Sequence, residues 1–194
     1  AGMVVNFGVD RRLAMYVANL EDVMNGKAKW REVFNQSADI REVDMGHGNV
    51  YLRSALDAPR FKILKLKLTQ LDLKSAETLL PESEGVLRAM TVSQDSLIVT
   101  RREGVNTALL RLPVASINGL GGSSSSSSAN KIDVQKVSLP LEGNVTVVGS
   151  IDHPDLIVAV SSWTQALRRY VFTPTASSNS STGQFVRLNL APPV

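Results

Sequence analysis

The chain has 194 residues, of which 43% are hydrophobic and 20% charged, so it can bury a sizeable core and is not disordered as a whole. The formal net charge is only +3, without a dense Lys/Arg run, which argues against nucleic-acid or polybasic membrane binding. Cysteine is absent and only His47 and His153 are present, so thiolate and histidine-rich metal sites are excluded. The apolar runs are shorter than the roughly 20 residues that span a bilayer. We therefore predict no metal, cofactor or membrane contact.

The apolar segments are short, rich in Val, Leu and Ile, and bounded by Gly, Asn, Asp, Pro or Ser, which is typical of β-strands. Only 19–26 has a helical pattern, and 71–74 is ambiguous between a turn and a short helix. In chain order, the predicted strands are 3–7, 14–20, 30–34, 40–45, 49–54, 61–68, 77–80, 86–92, 96–100, 107–114, 134–139, 145–149, 156–161, 167–173 and 185–190.

These strands recur as a unit. Tyr16, Leu64, Leu110 and Tyr170 occupy equivalent places and are separated by 48, 46 and 60 residues. A four-strand unit that repeats every 40–50 residues or so is typical of β-propeller blades, whereas a sandwich or barrel would not explain the recurring order of the polar loops. We predict an all-β fold of about four consecutive blades, at approximately 1–36, 37–82, 83–140 and 141–194. The first blade lacks its opening strand, and both chain ends read as cut from a longer protein.

Two polar tracts interrupt corresponding places in the last two units. Residues 119–130 are glycine and serine almost throughout, and 176–183 has a similar composition. Such sequences bury little and stay flexible, so both are expected to be loop tips rather than domain boundaries.

Three stretches carry a resemblance in their order and spacing. They are 50–62, 80–83 and 161–170, which include Val-Tyr-Leu-Arg, Leu-Pro-Glu-Ser and Ser-Ser-Trp-Thr-Gln. The stretch 13–20, with Met-Tyr-Val-Ala, also fits. Together they resemble the propeller domain of the prolyl oligopeptidase family of serine peptidases. The resemblance implies a seven-bladed propeller, of which this chain is roughly the later four blades, above an α/β-hydrolase domain of the same parent chain. It also implies that the propeller gates access of short peptides to the active site.

The resemblance places the catalytic triad in the hydrolase domain, after Val194. A nucleophile elbow needs G-x-S-x-G, and this motif does not occur in the chain. We therefore assign no catalytic residue and expect the chain by itself to be catalytically silent. Whether the parent peptidase cleaves after proline or after a basic residue depends on the hydrolase domain and cannot be predicted from this sequence. A chain without cysteine suits a bacterial cytoplasm and a periplasm equally.

Four residues are candidates for contact with substrate or with the hydrolase domain. Arg53, Asp57 and Arg60 flank one loop between strands, and the resemblance implies that loops of this series face the hydrolase domain. An arginine there would bind a carboxylate through its guanidinium fork, although a salt bridge within the blade is the favoured alternative. Trp163 opens the equivalent loop of the last unit and is a candidate interface residue.

Paired arginines occur in three of the four equivalent loops, at 11–12, 101–102 and 168–169. They would form a positive rim on one face, but acidic residues in the same loops argue for neutralisation. Both histidines are interpreted as exposed turn residues rather than as a base or ligand.

A propeller fragment leaves two blade faces open, which predicts self-association through them. The alternative function is a non-enzymatic propeller scaffold for protein–protein interaction, which the absence of the Trp-Asp dipeptide of WD40 repeats weakens.

Overall fold

The computed structural model describes residues 1–119, 132–174 and 183–189. In these ranges the chain forms four antiparallel sheets, and each strand pairs only with strands next to it in sequence. The first sheet contains β1 (Gly2–Phe7), β2 (Asp10–Val17) and β3 (Arg31–Phe34). The second contains β4 (Ile40–Gly46), β5 (Asn49–Ser54), β6 (Lys62–Lys67) and β7 (Glu77–Leu80). The third contains β8 (Val86–Val92), β9 (Ser96–Glu103), β10 (Asn106–Pro113) and β11 (Gln135–Val137). The fourth contains β12 (Asn144–Ser150), β13 (His153–Ser161), β14 (Arg168–Pro174) and β15 (Gly183–Leu188).

The all-β prediction and the recurring strand order are confirmed, and the first sheet has one strand fewer than the others. The strand predicted to reach residue 20 ends at Val17, because the side chain of Asn19 accepts a hydrogen bond from the Glu21 amide and starts helix α1 (Leu20–Met24). Helix α2 (Val114–Asn118) was not predicted. The ambiguous segment contains a short 3-10 helix, Leu73–Ser75. The tracts 119–130 and 176–183 lie outside the described residues, except Gly119 and Gly183.

Residues 1–83 form one compact unit, made of the first two sheets. Because side chains alternate between the faces of a strand, one face of each sheet is apolar and the two faces share a core. Its buried members are Met15, Val33, Phe34, Ala38, Ile40, Val50, Leu52 and Leu66.

The opposite face of the second sheet carries a polar row. Asp44, Tyr51, Lys65 and Glu77 stand opposite one another on β4, β5, β6 and β7, so they form one row across the sheet. The side chain of Lys65 is only 2% exposed, and its Nζ lies 2.8 Å from Oε2 of Glu77. Burial raises the pKa of Tyr51 above its usual value.

Residues 84–194 form the second compact unit, which contains the third and fourth sheets. Its core joins Ile98 and Leu109 of the third sheet to Leu156, Val158 and Phe172 of the fourth. The Phe172 ring also packs on Phe185, with ring centroids 4.7 Å apart. Such packing of apolar side chains from facing strands is the main stabilising contribution expected of each unit.

The other face of the fourth sheet carries an open apolar row. Val148, Ile157, Val171 and Val186 oppose one another on its four strands and form a continuous row. Val148 is 61% exposed, Ile157 46% and Val186 52%, so this row contacts solvent rather than core.

Candidate functional site

The connection between β5 and β6 carries three of the four candidate residues and has a defined conformation. The amide of Ala58 donates to the carbonyl of Ala55 at 3.1 Å, and the amide of Phe61 donates to the carbonyl of Ala58 at 2.8 Å. Asp57 and Phe61 both have left-handed backbones, with φ of 52° and 69°. Two consecutive turns therefore fix this connection rather than leaving it as an open loop.

Arg53 is held within the sheet. Its Nε donates to Oε2 of Glu42 at 2.8 Å, and the guanidinium carbon lies 4.4 Å from the centroid of the Phe61 ring. Only 13% of the Arg53 side chain is exposed. The structure thus contains the salt bridge within the blade that was the sequence-based alternative for Arg53, and a contact of this residue with substrate stays a prediction.

Asp57 and Arg60 project their charges outward. Both side chains are exposed, and within the described ranges neither makes an ion pair. The backbone amide of Arg60 donates to Oε1 of Glu82 at 2.7 Å, so its main chain is fixed while its side chain is accessible. Two opposite charges on a fixed loop are able to contact an approaching domain or peptide terminus without a large ordering cost.

Trp163 lies in the β13–β14 connection, which occupies the equivalent place in the fourth sheet. The side-chain oxygen of Ser162 accepts hydrogen bonds from the amides of Thr164 and Gln165, at 3.4 Å and 3.2 Å. The amide of Ser162 in turn donates to the carbonyl of Gln165. This turn places the indole of Trp163 entirely in solvent, with a relative exposure of 101%.

A cleft of about 410 Å³ opens beside Trp163 in the second unit. The β9–β10 hairpin lines one side of it through Arg102, Val105 and Thr107, and the other side is formed by Asn144 and Ser161. We call it the Arg102–Trp163 cleft. Sequence reasoning missed this cleft because it joins segments about 60 residues apart. The only local signal was an exposed valine beside a glycine at a hairpin tip, Gly104-Val105.

The predicted positive rim is partly neutralised where arginine and carboxylate share a strand. Arg12 binds both carboxylate oxygens of Asp10, and its hydrogen bonds lower the pKa of Asp10 to about 2. Hydrogen bonds from Lys136 and Arg101 likewise lower the pKa of Glu103. Both acids are therefore ionised at neutral pH and offset part of the positive charge of these loops.

One histidine lies in a turn and the other begins a strand. His47 has φ of 54° in the turn between β4 and β5, and His153 is exposed at the start of β13. Among the residues placed in the structure, no three His, Asp or Glu side chains gather as metal ligands would. No helix in the same ranges is long and apolar enough to cross a membrane.

A family model described as the prolyl oligopeptidase N-terminal β-propeller domain matches residues 7–172. No curated protein matches the chain in sequence. Several solved structures match its fold. Prolyl oligopeptidase B from Galerina marginata, as the apo protein, superposes on 96% of this chain with a TM-score of 0.69 at 16% identity. The same enzyme bound to a 35mer hydrolysis and macrocyclization substrate superposes on 93% of it with a TM-score of 0.68 at 15% identity.

A structure from work on two prolyl endopeptidases and the role of inter-domain dynamics in their catalysis and specificity covers 91% of the chain, with a TM-score of 0.64 at 13% identity. This chain spans 23% of that protein and 24% of the apo Galerina enzyme. At such identities the likeness concerns the fold, and it confirms the prediction that the four sheets are propeller blades. Because the family model extends over most of the sequence, the chain belongs to the prolyl oligopeptidase family, as part of its N-terminal β-propeller domain.

Proposed function

We propose that this chain is the part of a propeller that gates and positions short peptides for an α/β-hydrolase domain of the same parent polypeptide, a serine peptidase. The observation that carries the proposal is the family match over residues 7–172. The Galerina relative supports it, because that enzyme is bound to a 35mer hydrolysis and macrocyclization substrate in two of its structures.

The chemistry of the proposed reaction belongs outside this chain. A serine nucleophile requires a strained elbow that exposes its hydroxyl, with a histidine in hydrogen-bond reach, and the sequence contains no such motif. The contribution of a propeller is instead selection: a short extended peptide passes a narrow entrance, whereas a folded protein would first have to lose its own stability of several kcal/mol.

The exposed loop residues supply the proposed contacts. Asp57 and Arg60 carry opposite charges on a loop whose backbone is fixed by hydrogen bonds. The indole of Trp163 is fully exposed on a turn that is held by hydrogen bonds to the side chain of Ser162. Fixed aromatic and arginine side chains are the residue types that most often carry binding energy at an interface. We therefore propose Asp57, Arg60 and Trp163 as contacts of the hydrolase domain or of peptide.

The test uses the complete polypeptide that contains this segment. A fluorophosphonate label detects an activated serine, and internally quenched peptides of increasing length are compared with a folded protein as substrates. We expect one labelled serine outside the present segment, hydrolysis of short peptides and no cleavage of the folded protein. Absence of both labelling and hydrolysis would overturn the proposal and favour the alternative of a non-enzymatic scaffold.

A second comparison tests the loop contacts. Arg60→Glu and Trp163→Ser are combined in the complete polypeptide, and Arg187→Glu, which changes an exposed arginine of β15, is the matched control. We expect the double variant to change kcat/KM for peptides several-fold while the control leaves it unchanged. Equal values for both variants would contradict a role of these loops.

A further inference from the structure

We propose that the Arg102–Trp163 cleft binds an extended peptide segment that carries a carboxylate side chain close to a bulky apolar side chain. The inference rests on the proposed function in one respect, because Trp163 is one of the contacts proposed above and is here assigned to peptide; it needs no catalytic residue, and all of its contacts lie within residues 84–194. It assigns a ligand class to a cleft that is formed by the third and fourth sheets.

The charge of Arg102 is the reason for assigning a carboxylate to the ligand. Among the residues that the structure describes, Arg102 is the only charged one that lines the cleft. The Glu142 carboxylate lies outside this lining and accepts a hydrogen bond from Asn106, which belongs to it. The Nε of Arg102 donates to the carbonyl of Gly104 at 3.0 Å, which orients the guanidinium at the hairpin end. In the part of the chain that the structure describes, its two terminal nitrogens make no other hydrogen bond, and they form the planar fork that matches a carboxylate.

Two exposed apolar side chains are the reason for assigning a bulky apolar side chain to the ligand. Trp163 is 101% exposed and Val105 is 80% exposed, and both line the same cleft. A rigid indole offers a large contact area with little loss of conformational entropy on binding, because the Ser162 turn already fixes its backbone. A free inorganic anion would use Arg102 and leave both apolar side chains in water, so a peptide with an apolar side chain fits the whole cleft better.

The base of the cleft depends on a close approach of two backbones. The amide of Thr107 donates to the carbonyl of Gly143 at 3.0 Å, which ties β10 to the segment before β12. A Cβ at Gly143 would lie 2.2 Å from the carbonyl oxygen of Ser161, so only glycine permits this approach. The resulting volume of about 410 Å³ lies within the range of roughly 300–1,000 Å³ that is typical of ligand clefts.

The experiment follows the fluorescence of Trp163. A Trp30→Phe background leaves Trp163 as the single tryptophan of the 194-residue chain. The probe is the capped peptide acetyl-Gly-Leu-Gly-Asp-Gly-amide, and the comparison ligands are the same peptide with Asn in place of Asp and inorganic phosphate. We expect saturable binding of the Asp peptide with a blue shift of the emission, and at least tenfold weaker binding of both comparison ligands.

Variants then test the carboxylate contact and the apolar contact separately. Arg102→Gln is expected to weaken the Asp peptide at least tenfold and to leave the Asn peptide unchanged, whereas Arg187→Gln, outside the cleft, leaves both unchanged. Trp163→Ser, followed by calorimetry, is expected to weaken both peptides. Equal affinity of the Asp and Asn peptides, unchanged binding by Arg102→Gln, or phosphate that binds as tightly as the peptide would each overturn the proposal. If circular dichroism shows that the chain alone is not folded, the same titrations are made by calorimetry on the complete polypeptide.

Discussion

The guanidinium of Arg53 lies 4.4 Å above the ring of Phe61 while its Nε is bonded to Glu42. One side chain thus joins β4, β5 and the connection that leads into β6. Phe61 has a left-handed φ of 69°, which is unfavourable for a bulky residue. The stacking on Arg53 contributes to the stability of this conformation, so the exposed charges of the same connection are held in place from within the sheet.

Replacing Arg53 should therefore reduce stability. We expect Arg53→Gln to lower the free energy of unfolding by about 1–2 kcal/mol, because it removes a half-buried ion pair together with a cation–π contact. Urea denaturation measures the change. Arg60→Gln is the matched control, since its exposed side chain makes no ion pair in the described ranges, and its effect should stay within about 0.5 kcal/mol. An equal loss for both variants would contradict the role assigned to Arg53.

The buried lysine of β6 gives a second prediction. Glu77→Gln should lower the free energy of unfolding by about 1–3 kcal/mol, because it removes a carboxylate that is bonded to the 2%-exposed ammonium of Lys65. Lys65→Met keeps the apolar stem and removes the charge, so it should cost less than Glu77→Gln. Thermal and urea unfolding of the two variants show which of them loses more stability. A larger loss in Lys65→Met than in Glu77→Gln would show that the Lys65–Glu77 ion pair is itself stabilising.

Gly143 gives a third prediction. Gly143→Ala should lower the free energy of unfolding by about 2 kcal/mol or more, because the new Cβ meets the Ser161 carbonyl and φ is 153°. Gly8→Ala is the control: its φ is 65°, but nothing lies within 4 Å of a Cβ there. Its cost should be close to 1 kcal/mol, which is typical of backbone strain alone. Similar losses in the two variants would show that the space at Gly143 is less restricted than the structure indicates.

The loop carboxylates predict sensitivity to acid. The hydrogen bonds from Arg12 lower the pKa of Asp10 from 3.8 to about 2, so the ionised form is favoured in the folded chain. The resulting stabilisation is complete above the unfolded pKa and is lost as the pH falls from about 4 to about 2. We expect the urea midpoint to fall over this window, and to fall less in Asp10→Asn. An unchanged pH dependence in that variant would assign the effect to other carboxylates, such as Glu103.

Self-association is the fifth prediction. The open apolar row on the fourth sheet predicts that the chain by itself forms dimers or larger species at high concentration. Light scattering measures this, and Ile157→Lys, which places a charge in the middle of the row, should shift the distribution toward the monomer. A clean monomer of the original chain at high concentration would contradict the prediction.

Most of the fold was predictable because strands bounded by turn residues leave a strong local signal. The β4–β5 turn illustrates this: His47-Gly48 separates two strand-like segments, and both residues take the left-handed conformations that such a hairpin turn requires. The helix at 114–118 was missed because Val114 was taken as the last residue of a strand, and the burial of Ile117 depends on tertiary packing.

The site was less predictable than the fold. Arg53 could be named from sequence, but its partners Glu42 and Phe61 depend on register across two strands. The contribution of Trp163 to a cleft depends on residues of another sheet, at 102–107, which no local pattern connects to it. Local sequence thus indicates where a loop lies, and only the packing of sheets shows what faces that loop.

The pairing of strands in strict sequence order has a consequence for synthesis. Among the described strands, no sheet waits for a strand from a distant part of the chain, because each hydrogen-bonded neighbour is adjacent in sequence. Contacts between neighbouring segments carry a small loop-closure cost and form quickly. Each blade is therefore able to assemble while the next is still being translated, which shortens the time during which unpaired strand edges are exposed to aggregation.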